Sequence, residues 1–88
     1  MLERRIEAAM VKAARDVGGM ALKWTSPGMT GVPDRIVFLP NGRIIFVELK
    51  APGKKPTPLQ LKVQQQIRDL GFDVRVIDSL EGAHAISK

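Results

Sequence analysis

Eighty-eight residues, 44% hydrophobic and 26% charged, suffice for one domain (residues 1–88) with a modest core, and this composition excludes a disordered chain. The net charge of +5 and a sequence pI near 10.1 favour a polyanionic partner, while the lack of cysteine excludes a disulfide framework and thiolate metal sites. No apolar run approaches the ~20 residues of a membrane span, and the start MLERRIEAAM lacks the uninterrupted apolar region of a signal peptide, so a soluble, cytoplasmic protein is expected.

From Leu2 to Val17 good helix formers dominate, and Leu2, Ile6, Ala9, Met10, Ala13 and Val17 recur along one stripe. Gly18-Gly19 ends this helix. Arg4, Ala8, Lys12 and Arg15 fall on the opposite, solvated side, and Glu3 and Glu7, four apart, border the apolar stripe. Acids in the first turns also suit the helix dipole, which accounts for both without a site. Met20-Ala21-Leu22-Lys23-Trp24-Thr25 reads as a short strand, with Trp24 as a packing residue. Ser26 to Pro33 is turn-rich: its small residues expose backbone N–H groups suited to a phosphate, and they equally suit a plain connector.

The next stretch, Gly31 to Lys50, places three chargeable groups in an otherwise apolar hairpin. Asp34 opens the strand Asp34 to Leu39, Pro40-Asn41-Gly42 supplies the turn, and Arg43 to Lys50 has the composition of a strand covered on both faces. Alternation puts Ile44, Phe46, Glu48 and Lys50 on one side and Ile45, Val47 and Leu49 on the other. About six residues separate each acid from the turn, so the hairpin returns Glu48 to Asp34. An ion pair at a strand end explains Glu48 and Lys50 singly. Three charges beside an apolar run in so small a domain are costly without a task. Two adjacent carboxylates repel unless a cation sits between them, and hard oxygen ligands suit Mg²⁺.

Ala51 to Pro56 breaks the strand, and its Lys54 and Lys55, with Lys23, Arg35 and Lys62, can form a basic rim around the site for phosphate contacts. Thr57 as N-cap, Pro58 in the first turn and Gln60 three after the cap form a capping box, opening a helix that runs to Leu70 and stops at Gly71. Leu59, Val63, Ile67 and Leu70 supply its apolar face, and Gln64, Gln65 and Gln66 a polar one. Phe72 to Ile77 alternates as a further strand, and Ser79 caps a short final helix through Ile86, on which His84 is a surface residue. The element order is α-β-β-β-α-β-α, an α/β domain.

Pro33-Asp34, a hairpin, and Glu48-Leu49-Lys50 together resemble the signature of the PD-(D/E)xK nuclease superfamily. Gly31-Val32-Pro33-Asp34-Arg35, Val47-Glu48-Leu49-Lys50-Ala51-Pro52-Gly53 and Thr57-Pro58-Leu59-Gln60 are similar to the virus-type replication-repair nuclease (VRR-NUC) domain, and the resemblance runs over nearly the whole chain. It implies a restriction-endonuclease-like core, a mixed central sheet flanked by helices, and a Mg²⁺- or Mn²⁺-dependent endonuclease that hydrolyses DNA phosphodiesters. By that resemblance Asp34, Glu48 and the Leu49 carbonyl hold the ion. A glutamate of the first helix completes the site; its distance from the glycine that ends the helix matches Glu7 better than Glu3. Lys50 orients the attacking water, and Gln60 sits beside the catalytic strand, a place that competes with its capping role for one side chain. Lys23, Ser26, Arg35, Lys54, Lys55 and Lys62 are the candidate DNA contacts. Small relatives resemble Holliday-junction resolvases, implying a symmetric homodimer on four-way or branched DNA, and a phage protein within a bacterial host. Two other readings stay open: a non-catalytic basic DNA-binding or assembly module with a nuclease fold, and a nuclease subunit that needs a partner for substrate choice. A missing acid or lysine would favour the first of these, and none is missing.

Overall fold

The computed structural model describes residues 2–88. The chain forms α1 (Glu3–Asp16), β1 (Met20–Lys23), β2 (Arg35–Leu39), β3 (Arg43–Leu49), α2 (Pro58–Asp69), β4 (Asp73–Ile77) and α3 (Leu80–His84), with short 3-10 turns at Pro40–Gly42 and Ala85–Ser87. The expected order is thus observed. The strands make one mixed sheet in the order β1-β2-β3-β4, antiparallel except for the β3–β4 pair, which α2 connects as a crossover.

The hairpin at the centre of the sheet closes as its sequence requires. Asn41 (φ 68°) and Gly42 (φ 74°) both adopt the left-handed conformation that matches a two-residue turn to the twist of its strands. The register that follows pairs Arg35 with Val47 and Phe38 with Ile44, so the next residues outward from Arg35 and Val47 are Asp34 and Glu48.

One face of the sheet packs on α1 and α3. Ile6, Met10, Val37, Val47, Leu49 and Ile86 are fully or almost fully buried there. The stripe of α1 is narrower than the sequence suggests: Ile6, Met10 and Ala14 are buried, whereas Leu2 and Val17 are exposed. The helix stops at Asp16, so Val17 lies in the turn and leaves the helical face.

The second face is covered only in part. The composition of β3 implies cover on both sides, yet Ile44 is exposed and lies in register with two other exposed apolar residues, Phe38 on β2 and Met20 on β1. Helix α2 packs over β4 and leaves the β1–β2 end bare. Nearer the site, Phe46 packs between Trp24, tilted at 5.4 Å between ring centroids, and Phe72, edge to face at 5.8 Å. Trp24 is therefore the packing residue its context suggested.

The face α2 turns inward also differs from expectation. Val63 and Gln64 are its buried residues, while Leu59 and Leu70 are exposed. Leu70 lies beyond the last helical residue, and a glutamine rather than a leucine occupies the interior.

Candidate active site

The site begins with the backbone that delivers Asp34. Gly31 has φ +86°, and a Cβ built there meets the Leu59 side chain at 2.9 Å and Val63 Cγ2 at 3.3 Å. Only glycine lets this segment pass so close to α2. Pro33, fully buried, follows and leads the chain into the sheet. The Asp34 carbonyl accepts a hydrogen bond from the Trp24 N–H at 2.9 Å, and Asp34 Oδ2 accepts one from the Leu49 N–H at 2.9 Å. The aspartate is thereby locked across the hairpin, beside the residue that precedes Leu49.

That residue, Glu48, is 1% exposed. Its Oε2 lies 3.3 Å from Lys50 Nζ and accepts a hydrogen bond from Gln60 Nε2 at 3.2 Å, whereas its Oε1 is buried with no partner among the described residues. Burial, then the charge of Asp34, push the Glu48 carboxyl up to about 7, and Lys50 only partly offsets them. A buried carboxyl with one oxygen unpartnered and the charge of a second carboxylate acting on it is the arrangement a cation relieves. The donors gathered here are hard oxygens with an ammonium alongside, and they fit a divalent ion such as Mg²⁺ or Mn²⁺.

In the sequence, Gln60 faces a choice between capping α2 and serving the site. In the structure its side chain closes the capping box and also contacts Glu48. Its Oε1 accepts from the Thr57 N–H at 2.9 Å, its own N–H donates to Thr57 Oγ1 at 3.2 Å, and its Nε2 remains free to reach Glu48. The two ends of one amide have opposite polarity, so the roles do not compete.

Glu7 stands one step away. Its Oε2 accepts from Arg35 Nε at 3.0 Å, and Arg35 Nη1 also donates to the Ala21 carbonyl at 2.9 Å. Among the described residues no three acids or histidines stand close enough together to bind a metal by themselves. Glu3, Glu7, Lys23 and Asp34 nonetheless line a common cavity of about 260 Å³ with Trp24 and Thr25. The hollow beside Asp34 thus holds both glutamates weighed from the sequence.

Of the candidate DNA contacts, Lys23 lies in this cavity and Arg35 behind Glu7. Lys54 and Lys55 are exposed in the loop after Lys50, Lys62 is exposed on α2, and Ser26 is half-buried, its carbonyl accepting from the Met29 N–H at 3.2 Å. His84 is exposed on α3. Sequence reasoning missed Gln64, whose two side-chain polar atoms are buried without partners among the described residues. Its position among three consecutive glutamines carried no signal of burial.

Comparisons with known proteins identify the family. The VRR-NUC domain profile matches residues 4–81. The chain is 56% identical over 77 residues, covering 88% of it and 83% of the relative, to a protein of Acyrthosiphon pisum secondary endosymbiont phage 1 named "Putative nuclease p44". A solved structure described as a VRR-NUC domain superposes with a TM-score of 0.88 at 33% identity, covering 96% of this chain and 91% of that one. With its acids, lysine and glutamine assembled on that fold, the chain belongs to the VRR-NUC family of nuclease domains.

Proposed function

We propose that this domain is a metal-dependent DNA endonuclease that hydrolyses phosphodiesters in branched or four-way junctions and acts as a symmetric homodimer. The observation that carries the chemistry is the buried Glu48 with its Oε1 unpartnered, Asp34 beside it and Lys50 Nζ 3.3 Å from its other oxygen. Asp34, Glu48 and the Leu49 carbonyl would hold Mg²⁺ or Mn²⁺, with Glu7 reaching it directly or through water. Such an ion, when bound, polarises a phosphoryl oxygen and lowers the pKa of a coordinated water.

The chain's own groups do the rest. Lys50 donates protons from a position fixed by Glu48, so it can orient an attacking water and oppose the charge that builds on the phosphoryl oxygens. Gln60 also donates to Glu48 Oε2, so Oε1 is the oxygen left to bind the ion. Lys23, Arg35, Lys54, Lys55 and Lys62 supply positive charge for the DNA backbone, and Ser26 lies in the loop leading to Asp34.

The dimer draws support from the sheet. Met20, Phe38 and Ile44 form an exposed, uncharged row across three strands, on which a two-fold copy can bury its own row. A junction with two equivalent strands to cut calls for two equivalent sites.

Incubation with labelled four-way junction, fork and linear duplex in Mg²⁺, Mn²⁺ or EDTA tests the reading. Junction cleavage with either metal and none in EDTA is expected, with Lys50→Ala abolishing cutting while junction binding persists. Binding without cuts under every metal condition would leave only the non-catalytic module, and cutting that requires an added protein would favour a partner-dependent subunit. Light scattering should give two copies. A monomer that still cuts both strands symmetrically refutes the dimer.

A further inference from the structure

A groove of about 410 Å³, roomier than the cavity beside Asp34, runs along the outer side of α1, walled by Arg4, Lys12 and Arg15 on the helix and by Arg35 on β2, with Glu7 and Asp16 as the acids that line it. The helical spacing of Arg4, Lys12 and Arg15 puts them on one side of α1, which read in the sequence as merely solvated.

Each charge has a distinct status. Lys12 is satisfied by Asp16 at 2.8 Å, and Arg35 is held by Glu7 and the Ala21 carbonyl. Arg4 and Arg15 are exposed, and among the described residues neither has a carboxylate within ion-pair distance. The groove therefore carries excess positive charge with two arginines free to receive an anion. Arg4 and Arg15 are eleven residues apart, about 16 Å along the helix axis, which is the rise of about five base pairs. A single small anion cannot span that distance.

Glu7 is common to this groove and to the cavity beside Asp34, so the two hollows meet at one side chain. We infer that the α1 groove is a nucleic-acid backbone track, in which Arg4 and Arg15 hold two phosphates about five base pairs apart on the DNA whose scissile bond lies at Asp34 and Glu48. This rests on the nuclease reading for the substrate, but the groove itself can be tested without catalysis. Arginine suits the task because its planar fork meets phosphate oxygens bidentately.

The test uses the full chain carrying Arg4→Glu and Arg15→Glu, with Arg4→Gln and Arg15→Gln as a second double variant that removes charge without reversing it. Binding of a fluorescent duplex and of a four-way junction is measured in EDTA across a salt series, where nothing is cut. The glutamine pair should weaken binding at least tenfold and lower the slope of log affinity against log salt by about two, roughly one per lost phosphate contact. The glutamate pair should weaken it further, with circular dichroism and melting temperature unchanged for both. In Mn²⁺, hydrolysis of bis(p-nitrophenyl) phosphate, too small to reach the groove, should be unchanged by either pair. Unaltered DNA affinity and salt slope in the glutamine pair would overturn the track. So would a wild type that binds no DNA, or poly-glutamate binding that matches the duplex and falls equally in the variants, since the groove would then be a general anion surface. If the wild type binds DNA through this groove but hydrolyses neither DNA nor the small ester, the nuclease reading fails and the track stands.

Discussion

Gln60 touches Glu48 with its amide nitrogen while its amide oxygen closes the capping box of α2, so the helix start and the buried carboxylate are joined through one side chain. The N-terminus of α2 is thereby fixed against the strand that carries Glu48. This link predicts two separable losses.

Thr57→Ala removes the hydroxyl that accepts the Gln60 N–H and should cost about 1 kcal/mol of stability, a fall of about 4–8 °C in melting temperature, with cleavage little changed. Gln60→Glu keeps an oxygen for the Thr57 N–H but replaces the donor to Glu48 with a third carboxylate. Cleavage should fall about 10- to 100-fold. Thermal melting and initial cutting rates on the two variants check this. Equal loss of both properties in both variants would mean that Gln60 acts only through the helix.

Glu48 makes stability depend on pH. An unfolded glutamate titrates near 4.5 and the folded one near 7, so the folded state holds its proton more tightly. The associated stability is fully present below about pH 4.5 and is lost as pH rises through about 7, on the order of 3 kcal/mol in metal-free protein. Urea unfolding in EDTA should therefore show a decline over that window, and Glu48→Gln should abolish it and be the more stable protein at about pH 8. Adding Mn²⁺ should restore stability to the wild type at about pH 8, do so weakly at about pH 5, and do nothing for the Glu48→Gln variant. A wild type whose melting temperature ignores Mn²⁺ under the alkaline condition would contradict ion binding at Asp34 and Glu48.

The hairpin, its Asn41-Gly42 turn and the meeting of Asp34 with Glu48 were legible because each follows from residue count and two-residue alternation. The α2 cap was legible from Thr57, Pro58 and Gln60, and the family motif then located Lys50. What escaped was burial decided by neighbours rather than by pattern. Leu59 and Gln64 illustrate it, because a helical wheel puts leucine inside, yet Gln64 is a buried residue of α2 and Leu59 is exposed. The Arg35–Glu7 contact was equally hidden, since residues 28 apart in sequence meet only once the sheet has formed.

Gln64 yields a prediction of its own. It is wholly buried, and neither its amide oxygen nor its nitrogen has a partner among the described residues. Leaving such groups unpaired costs about 1–3 kcal/mol, and methionine has nearly the same volume without the polar atoms. Gln64→Met should therefore be neutral or up to about 2 kcal/mol more stable in urea unfolding. Destabilisation by more than about 1 kcal/mol would mean that an internal water satisfies the amide.

Arg35 and Glu7 form the last pair whose purpose can be divided. Arg35 holds both Glu7 and the Ala21 carbonyl, so Arg35→Ala should leave a carboxylate and a strand carbonyl without partners and cost about 1–3 kcal/mol. Glu7→Gln keeps an oxygen that can accept from Arg35 and should cost less than about 1 kcal/mol, but its neutral amide is a poor ligand for a hard cation. If Glu7 serves the ion as proposed, Glu7→Gln loses cleavage about 10- to 100-fold despite its near-native stability, and Mn²⁺ protects it less against thermal unfolding. Arg35→Ala, measured well below its melting temperature, retains more activity than Glu7→Gln because the glutamate is then free to turn toward Asp34. The reverse order, with Arg35→Ala the more damaging to cleavage and Glu7→Gln cutting normally, would show that Glu7 exists to fix Arg35, and that two carboxylates and one carbonyl complete the protein's share of the metal site.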